Sequence, residues 1–481
     1  MPESLLPYAT IAELARQIRL GAVSPVDLVE YFLKRIARLD GTLHALTQLT
    51  QERALEEAAA AEALLKTGHD LGPLHGIPYL AKDLFDIKDC ATTAGTRLRN
   101  DHVAQADCTV VARLSAAGMV LLGKTQASQL AMSPAGVNHD VGTPFNPWHR
   151  EHYVPGGSSS GSAVAVAAGL VPMALGTDTC SSVRGPASLC GIVGLKPTVG
   201  RISRSGVFPL SSTLDSPGPL TRSVADAALV YQAVQGFDKN DLATARLPTT
   251  SVVEYLGEGI EGYRLGIGET VFFDNVDVEV ESAVRGTSDV FDSLGATVKN
   301  IDIPEVAAAH EIPNRFDFVT VEGYSFNKML LEEHPTELDP LVLGLSRGKE
   351  IPATAYVELS KAQSTLREQL NDRLQEVDAV LVPATHAPAL PLAIVDANVD
   401  SHWDCANAYL RNTFLGTFLG LCSVSVPCGF TEGGLPIGLL VYAKSFEEDV
   451  ALRVAHAFEQ ATEWHLRHPN LSWVNEGARP R

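Results

Sequence analysis

A chain of 481 residues with 45% hydrophobic content can bury a large core, and its length alone allows two or three domains. Its 57 acidic and 37 basic residues give a formal charge of −20, which repels polyanions, argues against direct nucleic-acid binding and makes a neutral or cationic small molecule the easier ligand. The opening Met1-Pro2-Glu3-Ser4 lacks the regions of a signal peptide, no apolar run reaches the roughly 18 to 20 residues that span a bilayer, and seven cysteines without a Cys-x-x-Cys pair read as free thiols, which together predict a cytoplasmic protein without membrane contact or disulfides.

Residues 1–70 read as a helical segment. Ser24-Pro25-Val26-Asp27 has the form of a helix start: a capping hydroxyl, proline at the first helical position and an acid at the third, ahead of the apolar series Leu28, Phe32 and Ile36. The alanine-rich stretch Glu52 to Leu65 predicts a second helix. From 71 to 230, short apolar runs such as Val110 to Leu114 and Met119 to Leu122 alternate with glycine turns, as in strands and helices layered on a sheet. Arg264 to Gly268, Val278 to Leu294 and Thr297 to Ile303 predict one strand–helix–strand unit. Residues 231–400 form a variable region, of which 305 to 400 are expected to shape substrate access, and residues 401–481 return to the core. With no internal repeat, low-complexity tract or obvious linker, one α/β domain over 1–481 is expected.

The chemistry concentrates between Pro155 and Lys196. Gly156-Gly157-Ser158-Ser159-Ser160-Gly161 crowds amides and hydroxyls into a turn that only glycine allows to bend so tightly. The small-residue run Ala163 to Gly169 then predicts a helix able to pack deep and carry its N-terminal amides into a buried site. A second serine turn, Thr177 to Arg184, repeats the theme 24 residues after Ser158. Upstream stand Gly76-Ile77-Pro78 and Lys82-Asp83, and downstream Gly194-Leu195-Lys196-Pro197-Thr198. In this order the motifs resemble the amidase signature family, with weaker echoes at Gly123-Lys124-Thr125, Asn146-Pro147-Trp148, Val382-Pro383-Ala384, Ser425 to Gly429 and Gly434 to Gly438.

The resemblance implies a mixed, mostly parallel β-sheet core flanked by helices, and a serine amidohydrolase without metal or organic cofactor. It carries the nucleophile to Ser182, a relay serine behind a cis peptide to Ser158, and the base to Lys82. The backbone amides of Thr179, Cys180 and Ser181 fall where the oxyanion hole is expected, and Asp178 and Arg184 are expected to brace the loop. A lysine is a base only when neutral, so burial must lower its pKa, typically to about 7 to 8 in enzymes.

Several positions depart from the pattern. Cys180 and Ser181 replace two glycines before the nucleophile, so either the turn uses ordinary dihedrals or the site is modified. Gly185 stands where a larger residue is usual and is expected to leave room near the acyl pocket. Gln126, Gln129 and Leu440 replace other usual residues and put the ammonia-transferring subunit role in doubt. Cys180 is a rival nucleophile without motif support. Ser159 is another, in a Gly-x-Ser-x-Gly elbow that needs an apolar strand before it, and 146 to 155 is no such strand. His75, His139, His149 and His152 are expected on polar turns, with no His-Glu-x-x-His spacing for a metal. The expectation is an amidohydrolase that cleaves a linear amide, carbamate or urea-like C–N bond in a small-molecule substrate, with acylamidase and urethanase among the types left open and a homodimer compatible. The alternatives are an amidotransferase subunit supplying ammonia to a partner and a catalytically impaired binding homologue.

Overall fold

A computed structural model describes residues 3–475; Met1 and Pro2 of the opening segment lie outside them. The helix starts form as the sequence dictates. Asp27 N donates to Ser24 Oγ at 3.1 Å and Ser24 N to Asp27 Oδ2 at 3.2 Å, closing a capping box on the helix Pro25–Leu43. Leu28, Phe32 and Ile36 lie on its buried face. The alanine-rich helix runs Gln51–Lys66, and between the two helices Leu46–Leu49 forms a short strand, β1, inside a segment expected to be wholly helical.

The remaining strands are β2 Pro78–Lys82, β3 Val120–Thr125, β4 Met173–Asp178, β5 Val193–Lys196, β6 Ser216–Thr221, β7 Arg264–Gly268, β8 Thr297–Ile301, β9 Ala379–Pro383, β10 Cys422–Phe430 and β11 Pro436–Ala443. All eleven join one sheet in the order β1-β3-β2-β4-β6-β5-β10-β11-β9-β7-β8. The mixed sheet in one domain is as expected; the parallel majority is not. Six of the ten neighbouring pairs are antiparallel and four parallel. The antiparallel pairs gather in the centre, where β6 runs against both β4 and β5, and where β10 and β11 form a hairpin whose short connection can only join antiparallel neighbours. The predicted strand–helix–strand unit is present as β7, the helix Val278–Ser293 and β8, with β7 and β8 parallel. Among the described residues no helix is long and apolar enough to cross a membrane.

Candidate active site

The parallel pairing of β2 with β4 sets the carboxyl ends of both strands at one edge of the sheet, the usual place for a site in such architectures. Lys82 ends β2, and Thr177 and Asp178 end β4. Lys82 is fully buried, and its Nζ stands 2.8 Å from Ser158 Oγ and 2.8 Å from Thr177 Oγ1. Burial lowers its pKa to about 7, against the pull of Asp178 and Asp215, so the neutral amine is accessible near neutrality. Thr177 is a member of the site that sequence reasoning assigned no role; its place in Gly-Thr-Asp, one residue before the bracing carboxylate, was the available signal.

The first serine turn is built into the protein. The Gly157–Ser158 peptide is cis, as the family resemblance implies. Gly157 N donates to Pro134 O, Ser159 N to the carbonyl of Ser182 at 3.2 Å, and Gly161 N to Gln126 O. A β-carbon on Gly161 would stand 2.2 Å from Ala45 O, so the chain passes too closely there for any side chain. The helix that follows, Ser160–Ala167, is buried at every residue, and its start is engaged by Gln126 instead of offering every amide to a ligand. Ser159 Oγ bonds both the carbonyl and the amide of Thr177, and no strand precedes it in 146–155, so the elbow arrangement is absent.

The second turn is held from beneath and open above. Asp178 accepts from the backbone N of Val183 and Arg184 and from Arg184 Nε at 2.9 Å and Nη2 at 2.8 Å. Burial opposes the charged form of Asp178, yet the Arg184 guanidinium overcomes it and holds the carboxyl below the usual carboxylate range. Arg184 also donates to the carbonyl oxygens of Cys180 and Thr413. By contrast, the backbone N–H groups of Thr179, Cys180, Ser181 and Ser182 have no acceptor among the described residues. Neither Cys180 nor Ser181 has a positive φ: the turn uses ordinary dihedrals, which settles the question raised by the missing glycines. Burial pushes the Cys180 thiol far above its usual range, which leaves it a poor nucleophile.

Gly185 does not leave the expected room. A β-carbon there would stand 2.4 Å from Ser181 Oγ, which fills the space and donates to Tyr409 O at 2.7 Å. Gln129 is drawn into structure, accepting from Asp339 N at 2.7 Å, whereas Gln126 leaves its Oε1 buried without a partner among the described residues. His75 sits on a turn as expected, but its side chain is buried and its Nδ1 accepts from Leu71 N; His139 bridges Asp339 and Asp396.

Ser182, 8% exposed, lines a cavity of about 460 Å³ together with Thr179, Cys180 and Ser181. Its far wall comes from Phe316, Val319, Leu345 and Arg347 in the expected access segment, and from Trp403 and Leu410 beyond it. Phe414, Leu415, Phe418 and Leu419 are core residues and do not line this cavity.

A mixed sheet with a buried lysine–serine pair beneath an open serine turn defines a class of enzyme acting on acyl carbon. A family model described as Amidase matches residues 27–452, and the chain belongs to that family, the amidase signature family, whose enzymes act on carbon–nitrogen bonds. It is 36% identical over 489 residues to a glutamyl-tRNA(Gln) amidotransferase subunit of Chromohalobacter salexigens, covering 96% of this chain and 98% of that one. Among solved structures, it resembles the peptide amidase of Stenotrophomonas maltophilia at 30% identity and a TM-score of 0.84, covering 97% of this chain and 100% of the other. It also resembles a structure described as a vestigial protein complex that bears on the origins of an s-triazine catabolic enzyme, at 34% identity and a TM-score of 0.87, covering 94% and 98%.

Proposed function

We propose that the protein is an amidohydrolase that cleaves a linear amide, carbamate or urea-like C–N bond through an acyl-enzyme on Ser182. The observation that carries the reading is the buried Lys82–Ser158 contact of 2.8 Å beneath a turn whose four amides are unengaged. Neutral Lys82 can donate to Thr177 Oγ1 while accepting from the Ser158 hydroxyl. As Ser182 Oγ attacks the acyl carbon, its proton passes to Ser158 Oγ and that of Ser158 to Lys82. The oxyanion meets the amides of Thr179, Cys180 and Ser181, where one such donor is worth roughly 2.7 to 4 kcal/mol. The C–N bond then breaks as the proton returns along the relay to the leaving nitrogen. Water regenerates the enzyme by the same route in reverse.

The test is peptide mapping after treatment with a fluorophosphonate, beside Lys82→Ala treated identically. The expected adduct is on Ser182 and is lost without Lys82. An adduct on Ser159 or Cys180, or one indifferent to Lys82, refutes the assignment.

A second reading is favoured by the near full-length likeness to an amidotransferase component. Turnover of simple amides by the purified chain alone favours the hydrolase; activity that appears only with a co-purified partner favours the amidotransferase role. The seven cysteines, all unpaired, support the cytoplasmic placement.

A further inference from the structure

A second cavity of about 740 Å³ adjoins the first, and Phe316, Asn407 and Leu410 line both. Two arginines and two aspartates line it, so its formal charge balances in a chain of −20. Arg315 and Arg411 line it, with His310 and His386. Arg315 donates to Ile312 O at 3.2 Å; Arg411 donates to Asp274 O at 2.7 Å and to Asn412 Oδ1. These are neutral oxygens, and among the described residues neither guanidinium forms an ion pair with a carboxylate. Most of the five N–H donors that each carries are therefore without a protein acceptor.

The acids nearby offset the charge of the arginines without taking up their N–H donors. Asp277 and Asp404 line the cavity, and Asp274 and Glu311 flank it. Asp277 is occupied as a helix cap, with its Oδ1 accepting from Glu279 N at 2.9 Å, and Asp404 pairs with no cation among the described residues. His310 is pushed down by burial and then by both arginines, and its Nδ1 is buried without a partner. His386 is lowered to about 4 by burial and Arg411. Two half-buried guanidiniums that line one cavity with most of their N–H donors unused match a planar oxyanion that accepts two N–H bonds from a guanidinium.

We infer that this cavity is a carboxylate subsite and that the carboxylate it takes is the distal end of the substrate, an ω-carboxyl amide whose scissile bond reaches Ser182 past Phe316 and Leu410. The inference rests on the amidohydrolase reading for its geometry. A substrate tethered at both ends would be placed by its charge at one cavity and by its carbonyl at the other, so binding at the remote end orients the reacting one.

The test is isothermal titration of Ser182→Ala with the monoamides of glutaric, adipic and suberic acids, beside neutral adipamide and free adipate. One monoamide is expected to bind at least tenfold more tightly than adipamide. Adding Arg411→Met or Arg315→Met should remove that preference while adipamide binding stays unchanged, which also shows that the variants are folded. Free adipate that binds as tightly as the best monoamide, and is lost in the same variants, supports the anion site and assigns it to a separate small molecule. No preference for a carboxylate, or a preference indifferent to both arginines, overturns the inference. Arginine-dependent carboxylate binding in a chain that hydrolyses no amide would instead sink the amidohydrolase reading and leave the anion site standing.

Discussion

The two serine turns use their polar groups in opposite ways. In the first, alternate amides and the hydroxyls of Ser158 and Ser159 are tied to the protein, Gly157 to Pro134, Ser159 to Ser182 and Thr177, Gly161 to Gln126 and Ser158 to Lys82, while Ser160 Oγ is buried without a partner among the described residues. In the second, four successive amides face no acceptor among the described residues, and the restraint comes from below through Asp178 and Arg184. A group that relays a proton must not move, whereas a group that stabilises developing charge must be fixed and yet unpaired until that charge appears. The sharpest way to break this contrast is Ser182→Ala. Turnover should fall by several orders of magnitude, on the scale of the roughly 10⁶ seen for nucleophile removal in another serine hydrolase. Steady-state rates on any accepted amide check it, and near-native turnover would return the nucleophile to the first turn.

Arg184→Met attacks the restraint. It leaves Asp178 charged and buried, and breaking such a pair from one side costs about 3 to 5 kcal/mol. Urea unfolding should show that loss, with activity falling alongside as the open turn loses its support. A stable, fully active variant would mean that the amides of 179–182 hold their positions without the ion pair.

The relay proposed for the first turn is probed by pH. Lys82 must be neutral to accept a proton, and its pKa is lowered to about 7, so kcat/KM should fall about tenfold per unit below pH 7 and level off above it. The sign is fixed by the base role: protonation at low pH removes the acceptor. A profile flat from pH 6 to 9, with chemistry rate-limiting, counts against Lys82.

How far the sequence could be read follows the same division. Lys82, Ser158, Ser182, Asp178 and Arg184 fall together because their motifs are short, ordered and local to strand ends, and the capping box at Ser24 and Asp27 is likewise written within four residues. The sheet's antiparallel majority was not legible, since strand partners such as β5 and β10 are set by contacts between distant segments. Nor was the second cavity, where Arg315 on an interhelical turn and Arg411 within a helix lie far apart in the chain and carry no motif. The burial of His75 was hidden for a related reason: its neighbour Gly118, whose β-carbon would stand 2.7 Å from the ring, lies on another segment.

The smallest expected effect concerns a coupling between the two departures from the family pattern. Ser181 brings a hydroxyl where glycine is usual, and Gly185 withdraws a side chain where a larger one is usual, and the structure places the added atom in the space left vacant. Gly185→Ala should force Ser181 Oγ away from Tyr409 O and tilt the open amides, an overpacking cost of about 1 to 3 kcal/mol. Ser181→Gly alone loses one buried hydrogen bond, about 0.5 to 1.5 kcal/mol. The double variant should recover most of the stability and rate lost in Gly185→Ala, because the obstructing hydroxyl is gone before the methyl arrives. Thermal melts and kcat of the four proteins form a double-mutant cycle. A coupling near zero would show that the loop accommodates each change independently, and that the open turn is shaped by Asp178 and Arg184 alone.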